Sequence, residues 1–466
     1  MAGFIQDKIY PKLPLFAQNL AISIFGYFWQ KRRFGGVFDS ELIEFRNREK
    51  FTAQQWENYQ TQELRKLIIS AFVNVPLYNE KYSKAGFCLN DFENFELADL
   101  SKLPYLEKDE LRLFGTTTLL SLKKDKKGVF FSSSGSTGTP TRIYFSETMH
   151  QKWSAAFESR IRNWANLSIK DARGMIGGRR VISMADAKPP FYRFNSFERQ
   201  VYFSAYHINA KNAIDYLEGM QKHHIKYMTG YAMSNYLLAR FVEQSGLKAP
   251  KLQAVITSSE KLTQEMRDTF KRVYDCKTYD SYSGLEACGL ISECEFGKLH
   301  VSPDVGYIEF IKDDGSYALP GESGEMICTG FLNYDQPLIR YRIGDVAKLS
   351  LNQTCECKRT MPIVEEIIGR TEDVITGADG RKMVRFHGVF LDIPSIVEGQ
   401  IIQHSLTGFE IKVVLNKQLT NEEKQCMHER MESQLGNVDV TINEVDSIPR
   451  MPSGKFKAVI SHVSNS

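Results

Sequence analysis

The chain has almost no charge imbalance. Its 466 residues carry 59 Lys and Arg against 56 Asp and Glu, a formal net charge of +3. No polyelectrolyte signature marks nucleic acid as a partner. It lacks the paired cysteine spacing of a small secreted domain, although it holds eight cysteines. No signal-peptide pattern opens it, so a reducing cytoplasm is the expected location. Internal repeats and low-complexity segments are absent. So is a clean apolar run of the about 20 residues that a membrane-spanning helix needs. The nearest approach, Leu13 to Gln30, is uncharged and aromatic but diluted by Pro14, Gln18, Asn19 and Ser23, and Lys31-Arg32-Arg33 follow it. A helix packed on the body of the protein is expected there. The alternative is peripheral membrane contact through residues 13–33, as an amphipathic helix with a basic flank. What remains is ordinary: 42% hydrophobic and 25% charged residues, enough material for more than one domain.

The stretch VFFSSSGSTGTPTRIYF, Val129 to Phe145, organises the rest. Its β-branched and aromatic ends read as two strands. Between them Ser133, Ser134, Gly135, Ser136, Thr137, Gly138 and Thr139 offer N–H groups, hydroxyls and glycines that let the backbone curl round an anion. A phosphate cradle and a plain Ser/Gly hairpin both fit these residues. A Walker A loop is excluded, because GxxxxGK[ST] requires a lysine absent here.

Residues 1–110 read as helical. Thr52 to Gln55 forms a capping box, with Leu64, Leu67, Ile68, Ala71 and Phe72 following at helical spacing until Val75-Pro76. From about 150 to 345, strand and helix patterns alternate, which predicts an α/β layered architecture. Leu252–Ser259 reads as a buried strand, Glu260–Tyr274 as a helix and Thr278-Tyr279 as a short strand. Two further strands, Val305–Ile311 and Gly324–Thr329, flank the turn Asp313-Asp314-Gly315. The character changes near Gly369-Arg370, after which a small α+β unit is expected. Gly408–Leu415 reads as a strand, Thr420–Glu423 as a second capping box, and Met427, Met431 and Leu435 as one face of a helix ending at Gly436. The expected fold is α/β (α+β overall). Its large layered N-terminal domain, 1–369, has a helical N-terminal region, and a small mobile C-terminal domain spans 370–466.

Four further segments carry chemistry. Thr257-Ser258-Ser259-Glu260 is a polar turn at a strand end, where open α/β sheets bind ligands. In Asp280-Ser281-Tyr282-Ser283-Gly284-Leu285-Glu286, an aromatic ring that suits a flat base precedes by four residues a carboxylate that suits magnesium. Ile339–Val346 places Asp345 in a turn, where it would accept hydrogen bonds from ribose hydroxyls. Ile448–Lys457 is a Pro/Gly-fixed turn bearing Lys455. Separately, Cys294, His300, Cys355 and Cys357 supply the four ligands of a structural zinc site. Reduced thiols and a surface histidine are the alternative.

In this order, the segments resemble the adenylate-forming superfamily of acyl-CoA synthetases, adenylation domains and luciferases. SSSGSTGTPT is similar to its phosphate loop, YSGLE to its Tyr-x-x-x-Glu motif and YRIGDVA to its Tyr-Arg-x-Gly-Asp motif. GRTED resembles its hinge, and PRMPSGKFK its C-terminal lysine motif. The match spans roughly residues 60–460. Within the superfamily, the loop's SSG start, the PLIRYRIGD run and the short C-terminal domain look most like the phenylacetate–CoA ligase branch. The N-terminal layout is similar to its CapK-like capsular-polysaccharide members.

The resemblance implies formation of an acyl-adenylate from a carboxylic acid and ATP, with release of pyrophosphate. Transfer to a thiol, amine or hydroxyl of CoA, a carrier or a sugar then follows. It implies that Ser133–Thr139 hold the β,γ-phosphates, Glu286 ligates Mg²⁺ and Tyr282 stacks on adenine. Asp280 and Ser281 flank that ring, and Ser259 and Glu260 line the base. Asp345 takes the ribose with Arg370, Glu372 falls on the hinge, and Lys455 bridges the carboxylate and α-phosphate. Lys457 is the rival for that last role. The acyl pocket would lie near Tyr231. Some relatives carry Cys/His metal sites in segments matching the cysteine cluster. Three readings stay open: an adenylating enzyme of surface-polysaccharide assembly, an aryl- or acyl-CoA ligase, and an inactive nucleotide-binding scaffold. The scaffold reading comes from departures: Thr139 stands where many relatives have lysine, Leu285 replaces the usual threonine, and Ser283-Gly284 shifts the glycine by one.

Overall fold

The computed structural model describes residues 9–132, 141–177, 181–182, 188–370, 375–377, 382–383, 387–390, 393, 395–450 and 456–463. They group into two compact units. One comprises Met1–Ile343 and Ala347–Ile367, the other Gly344–Val346 and Ile368–Ser466.

The first unit opens with helices α1 (Leu15–Phe34), α2 (Phe38–Arg48), α3 (Ala53–Asn74) and α4 (Pro76–Lys84), followed later by α5 (Lys108–Phe114). Helix α3 starts where the sequence predicts. The Thr52 hydroxyl accepts the Gln55 N–H and the Gln55 side chain accepts the Thr52 N–H. It stops at Val75 because Pro76 disfavours helical backbone in the residue before it. Its apolar stripe of Leu64, Leu67, Ile68 and Ala71 is fully buried against Tyr78, Phe92, Ile143 and Tyr341. Burial of each of the large aliphatic side chains is worth about 1.5–3 kcal/mol.

Strands β1 (Val129–Ser132) and β2 (Arg142–Phe145) pair antiparallel as expected. Residues 133–140 between them lie outside the described residues. Helix α6 (Glu147–Phe157) follows, capped by the Ser146 hydroxyl.

A twelve-stranded sheet then forms from β3 (Arg173–Ile176), β4 (Tyr192–Asn195), β5 (Gln200–Phe203), β6 (Tyr227–Tyr231), β7 (Ala254–Ser258), β8 (Lys277–Ser283), β9 (Leu290–Glu293), β10 (Leu299–Val301), β11 (Gly306–Ile311), β12 (Ser323–Gly330), β13 (Tyr341–Leu349) and β14 (Ile363–Arg370). Five neighbours, β5-β3-β6-β7-β8, run parallel. Helices α7 (Ala213–Lys222), α8 (Ala232–Gln244) and α9 (Gln264–Tyr274) connect these strands, and their apolar faces join one core with them. The α/β expectation therefore holds.

Two local expectations need correction. The helix expected from Glu260 begins at Gln264, because Ser259 has φ +68° and Thr263 caps the helix through Met266 N–H. Asp345 does not sit in a turn. It lies within β13, directly after Gly344, whose φ of +82° bends the strand without ending it.

Helix α1 packs on the body, as expected, but by its polar side. Strand β4 is the sheet's edge, with backbone groups open to new partners. Asn19 Oδ1 accepts the Phe194 N–H at 3.0 Å, and Ser23 Oγ accepts the Ser196 N–H at 3.1 Å. Gln18 accepts from Arg193, and Arg33 pairs with Glu198. Gly26 permits this approach, since a Cβ there would come within 2.1 Å of the Asn195 side chain. The residues that dilute the apolar run thus satisfy an open strand.

In the second unit, β17 (Ile396–Gln403), β18 (Gly408–Leu415), β19 (Asp439–Glu444) and β20 (Val459–Ser461) form a sheet ordered β19-β18-β17-β20; two short strands, β15 (Ile375–Thr376) and β16 (Lys382–Met383), form a separate ribbon. Helix α10 (Asn421–Leu435) buries Met427, Met431 and Leu435 against Ile401, Phe409 and Ile411. Its predicted capping box and its Gly436 stop, at φ +83°, are both present.

Candidate active site and cysteine–histidine cluster

The C-terminal ends of β6, β7 and β8 lie side by side. Their register sets Tyr231 opposite Ser258, and Ser258 opposite Ser281. One row of the parallel sheet thus holds residues from three separate sequence segments, at the end of the strands where such sheets bind ligands. Strand β6 runs straight into α8, with Tyr231 as the residue before its first turn. Gly230 is obligatory at this junction. Its φ is +120°, and a Cβ would fall 1.9 Å from the Ile176 carbonyl oxygen.

Glu260 reaches across to this junction. Its carboxylate accepts the Met233 N–H at 2.8 Å, placing negative charge at the start of α8. Ser259 is exposed beside it. The Ser281 hydroxyl is tied down, donating to the Thr257 carbonyl at 2.9 Å. Tyr282 is half-buried on the large core, and Glu286 stands in the turn after β8, before Ala287 at φ +50°.

Asp280 has a strongly altered proton affinity. Burial raises its carboxyl to about 7 and the neighbouring Glu293 adds to this, while Arg267 opposes it. Glu293 is held by both guanidinium nitrogens of Arg267, at 3.0 and 2.8 Å, and also accepts the Asp280 N–H at 2.7 Å. Sequence reasoning missed this Arg267–Glu293 clamp, because nothing in the spacing of the two residues advertises it. A buried carboxyl with an altered proton affinity, one residue before the Tyr231–Ser258–Ser281 row, is a functional-site indicator.

The motif around Asp345 divides its work. Arg340, at φ +50°, is buried and bidentate to Glu309 at 2.9 Å on both nitrogens, and it donates to the Ser101 and Leu103 carbonyls. Arg342 pairs with Glu325. Both arginines fasten the strand, and Asp345 is close to fully buried three residues beyond Arg342. Arg370 ends β14. Ser133–Thr139, Glu372 and Lys455 lie outside the described residues.

The second constellation is complete. Ligand atoms of Cys294, His300, Cys355 and Cys357 all lie within 4.8 Å of one another. Cys294 and Cys355 Sγ are 3.7 Å apart, and Cys357 Sγ is 3.3 Å from His300 Nε2. Zn–S bonds of about 2.3 Å and Zn–N bonds of about 2.0 Å in a tetrahedron need separations near 3.5–3.8 Å. The donor set and these two separations suit a four-coordinate ion, and the wider pairs, up to 4.8 Å, would draw in around it. His300 Nδ1 faces the Met361 carbonyl at 3.3 Å, the outer hydrogen bond that orients a ligating ring. Burial lowers the proton affinity of His300, keeping the imidazole neutral, and pushes the Cys294 thiol up to about 12. Without a cation, Cys294 stays protonated. Trp56, Trp164 and Met361 pack with buried Cys294, while Cys355 and Cys357 are half-buried.

The chain is similar to known proteins along most of its length. Residues 375–462 match the family described as CapK C-terminal domain. The chain is 24% identical to Protein CapK of Staphylococcus aureus over 469 aligned residues, covering 98% of this chain and 99% of that one. It is 26% identical to the phenylacetate-coenzyme A ligase of Escherichia coli (strain K12), over 84% of this chain and 91% of the other. Among solved structures, 2-hydroxyisobutyryl-CoA ligase in the postadenylation state, in complex with R3-HIB-AMP, superposes with a TM-score of 0.71. The identity is 17%, with 89% of this chain and 91% of that one covered.

Proposed function

With homology to CapK and the phenylacetate–CoA ligases as the premise, we propose that this chain activates a carboxylic acid as its acyl-adenylate. A carboxylate oxygen attacks the α-phosphorus of ATP, the bond to the β-phosphate oxygen breaks, and pyrophosphate leaves. The observation that carries this is the row Tyr231–Ser258–Ser281 at the ends of β6, β7 and β8, with Tyr282 and Glu286 following it.

The chemical problem is the meeting of two anions. In this reading the N–H and hydroxyl groups of Ser133–Thr139 hold the β,γ-phosphates. Tyr282 covers the adenine, with Asp280, Ser281, Ser259 and Glu260 around it, and Asp345 and Arg370 take the ribose. Tyr231 caps the acyl pocket. Glu286 is the residue that would hold Mg²⁺, which supplies charge neutralisation at the phosphates. Lys455 brings a cation to the carboxylate and α-phosphate. The domain arrangement proposed is 1–369 and 370–466, with Glu372 at the hinge.

The acyl group then passes to a nucleophile. We assign transfer to an acceptor in surface-polysaccharide assembly, supported by the near-complete two-way coverage with CapK and by the C-terminal match. Thioester formation with CoA is the second reading, favoured by the phenylacetate-coenzyme A ligase relatives. Incubation with ATP, Mg²⁺ and a panel of acids should release pyrophosphate. Appearance of an acyl-CoA when CoA is added would move the assignment to the second reading.

The four-residue cluster is proposed to hold structural zinc. Purified protein should carry about one zinc per chain by plasma mass spectrometry, and Cys357→Ser should lose most of it and melt at a lower temperature. Metal-free wild-type protein with unchanged melting would contradict this.

A further inference from the structure

Helix α1 is inverted: its polar side is inside and its apolar side is out. At 100° per residue, Phe16, Leu20, Ile24, Tyr27, Phe28 and Lys31 fall within about one third of the circumference. The opposite side, with Gln18, Asn19, Ser23, Gly26 and Arg33, is the one fastened to β4 and its turn. The outer side chains are open: Phe16 is 74% exposed, Leu20 59%, Ile24 49% and Phe28 65%. Phe197, at the β4–β5 turn, is 50% exposed and meets Tyr27 at 5.2 Å, so the patch continues beyond the helix.

We propose that this face is an interfacial membrane anchor, lying flat on an anionic lipid surface. Two further observations name that occupant. No acidic residue occurs from Lys8 to Phe38. The cations at the two ends of the apolar row, Lys12 and Lys31, are both exposed, and Arg199 is exposed two residues beyond Phe197. An apolar strip rich in phenylalanine and bracketed by cations matches a leaflet with acyl chains below and anionic headgroups around. With its polar side fastened along β4, the helix would lie in the interface plane; no helix among the described residues is long and apolar enough to cross a membrane.

The contact would act on the β1–β2 pair. Trp29, on the inner side of α1, meets Phe131 at 5.8 Å and His150 at 5.0 Å, and Arg32 donates to the Phe145 carbonyl at 2.8 Å. The helix that touches lipid therefore also braces the strands carrying residues 133–140. None of this depends on the adenylation reading.

The test is sedimentation of the full chain with vesicles of phosphatidylcholine containing about one third phosphatidylglycerol, against phosphatidylcholine alone. Wild type should bind the anionic vesicles. Phe16→Glu combined with Leu20→Glu should weaken binding by at least about tenfold with unchanged melting temperature. Lys12→Gln with Lys31→Gln should remove the preference for phosphatidylglycerol. Should the glutamate variant fail to fold, Phe28→Trp gives an independent readout, since brominated acyl chains should quench its added fluorescence. Absence of vesicle binding by wild type, equal binding to neutral vesicles, or no quenching would overturn the proposal. So would a stable dimer that the glutamate variant splits.

Discussion

Replacing Lys455 by alanine should lower acid-dependent pyrophosphate release by at least about 100-fold, the loss that follows removal of one transition-state charge partner. ATP affinity should change by less than about threefold, because in the proposed arrangement other groups hold the β,γ-phosphates. The size of the effect follows from what the Ser/Gly loop lacks. Ser133–Thr139 contain no lysine or arginine, so in the proposed arrangement the loop brings no cation of its own to the reacting carboxylate. An ammonium is suited to that task as a compact point charge. Lys457→Ala is the internal comparison. The Lys457 carbonyl accepts from Gln400 Nε2 at 2.6 Å, which anchors its backbone just before β20. Its alanine variant should retain most of the activity. A larger loss in Lys457→Ala than in Lys455→Ala would transfer the role.

Asp304→Ala should be the most destabilising single substitution in the first unit. Asp304 and Arg160 are fully buried, and one carboxylate oxygen serves two guanidinium groups, Arg48 Nε at 2.9 Å and Arg160 at 2.8 Å. Arg160 also bonds Glu49 at 2.7 Å and the Phe45 carbonyl at 2.9 Å, and Glu49 goes on to Arg359 beside the cysteine cluster. Removing the shared acid leaves two cations short of counter-charge away from water. Such a lesion costs about 3–5 kcal/mol, roughly a 4–7 °C fall in melting temperature for a unit of this size. Thermal unfolding by circular dichroism checks it. A fall below about 1 °C would mean that water or Glu49 compensates the charges.

The legible parts of the chain were those written locally. Thr52–Gln55 and Thr420–Glu423 declare helix starts because each box satisfies its own backbone groups. The periodicity of Leu64 to Ala71 and of Met427 to Leu435 declares buried faces. The cysteine–histidine cluster was visible as residue types, but only the pairing of β10 with β9 and β14 brings His300 beside the loop carrying Cys355 and Cys357. What stayed hidden depends on long-range partners. Glu293 and Arg267 carry no motif, yet on top of burial, which raises the proton affinity of Asp280 most, Glu293 raises it further and Arg267 lowers it. Asp345, expected in a turn, follows Gly344, whose φ is +82°. Pairing across the sheet overrides that glycine and keeps the strand running. Helix α1 misleads in a different way: its polar residues read as dilution of a membrane signal, whereas they satisfy the open edge of β4.

Isotope exchange between pyrophosphate and ATP tests adenylation directly, without knowledge of the acceptor. With Mg²⁺ and a broad panel of aryl, alkyl and amino acids, at least one acid should drive label into ATP, and Lys455→Ala should abolish that exchange. Tight ATP binding by calorimetry, with no acid in the panel supporting exchange by the wild-type chain, would contradict the account and leave a nucleotide-binding scaffold in its place.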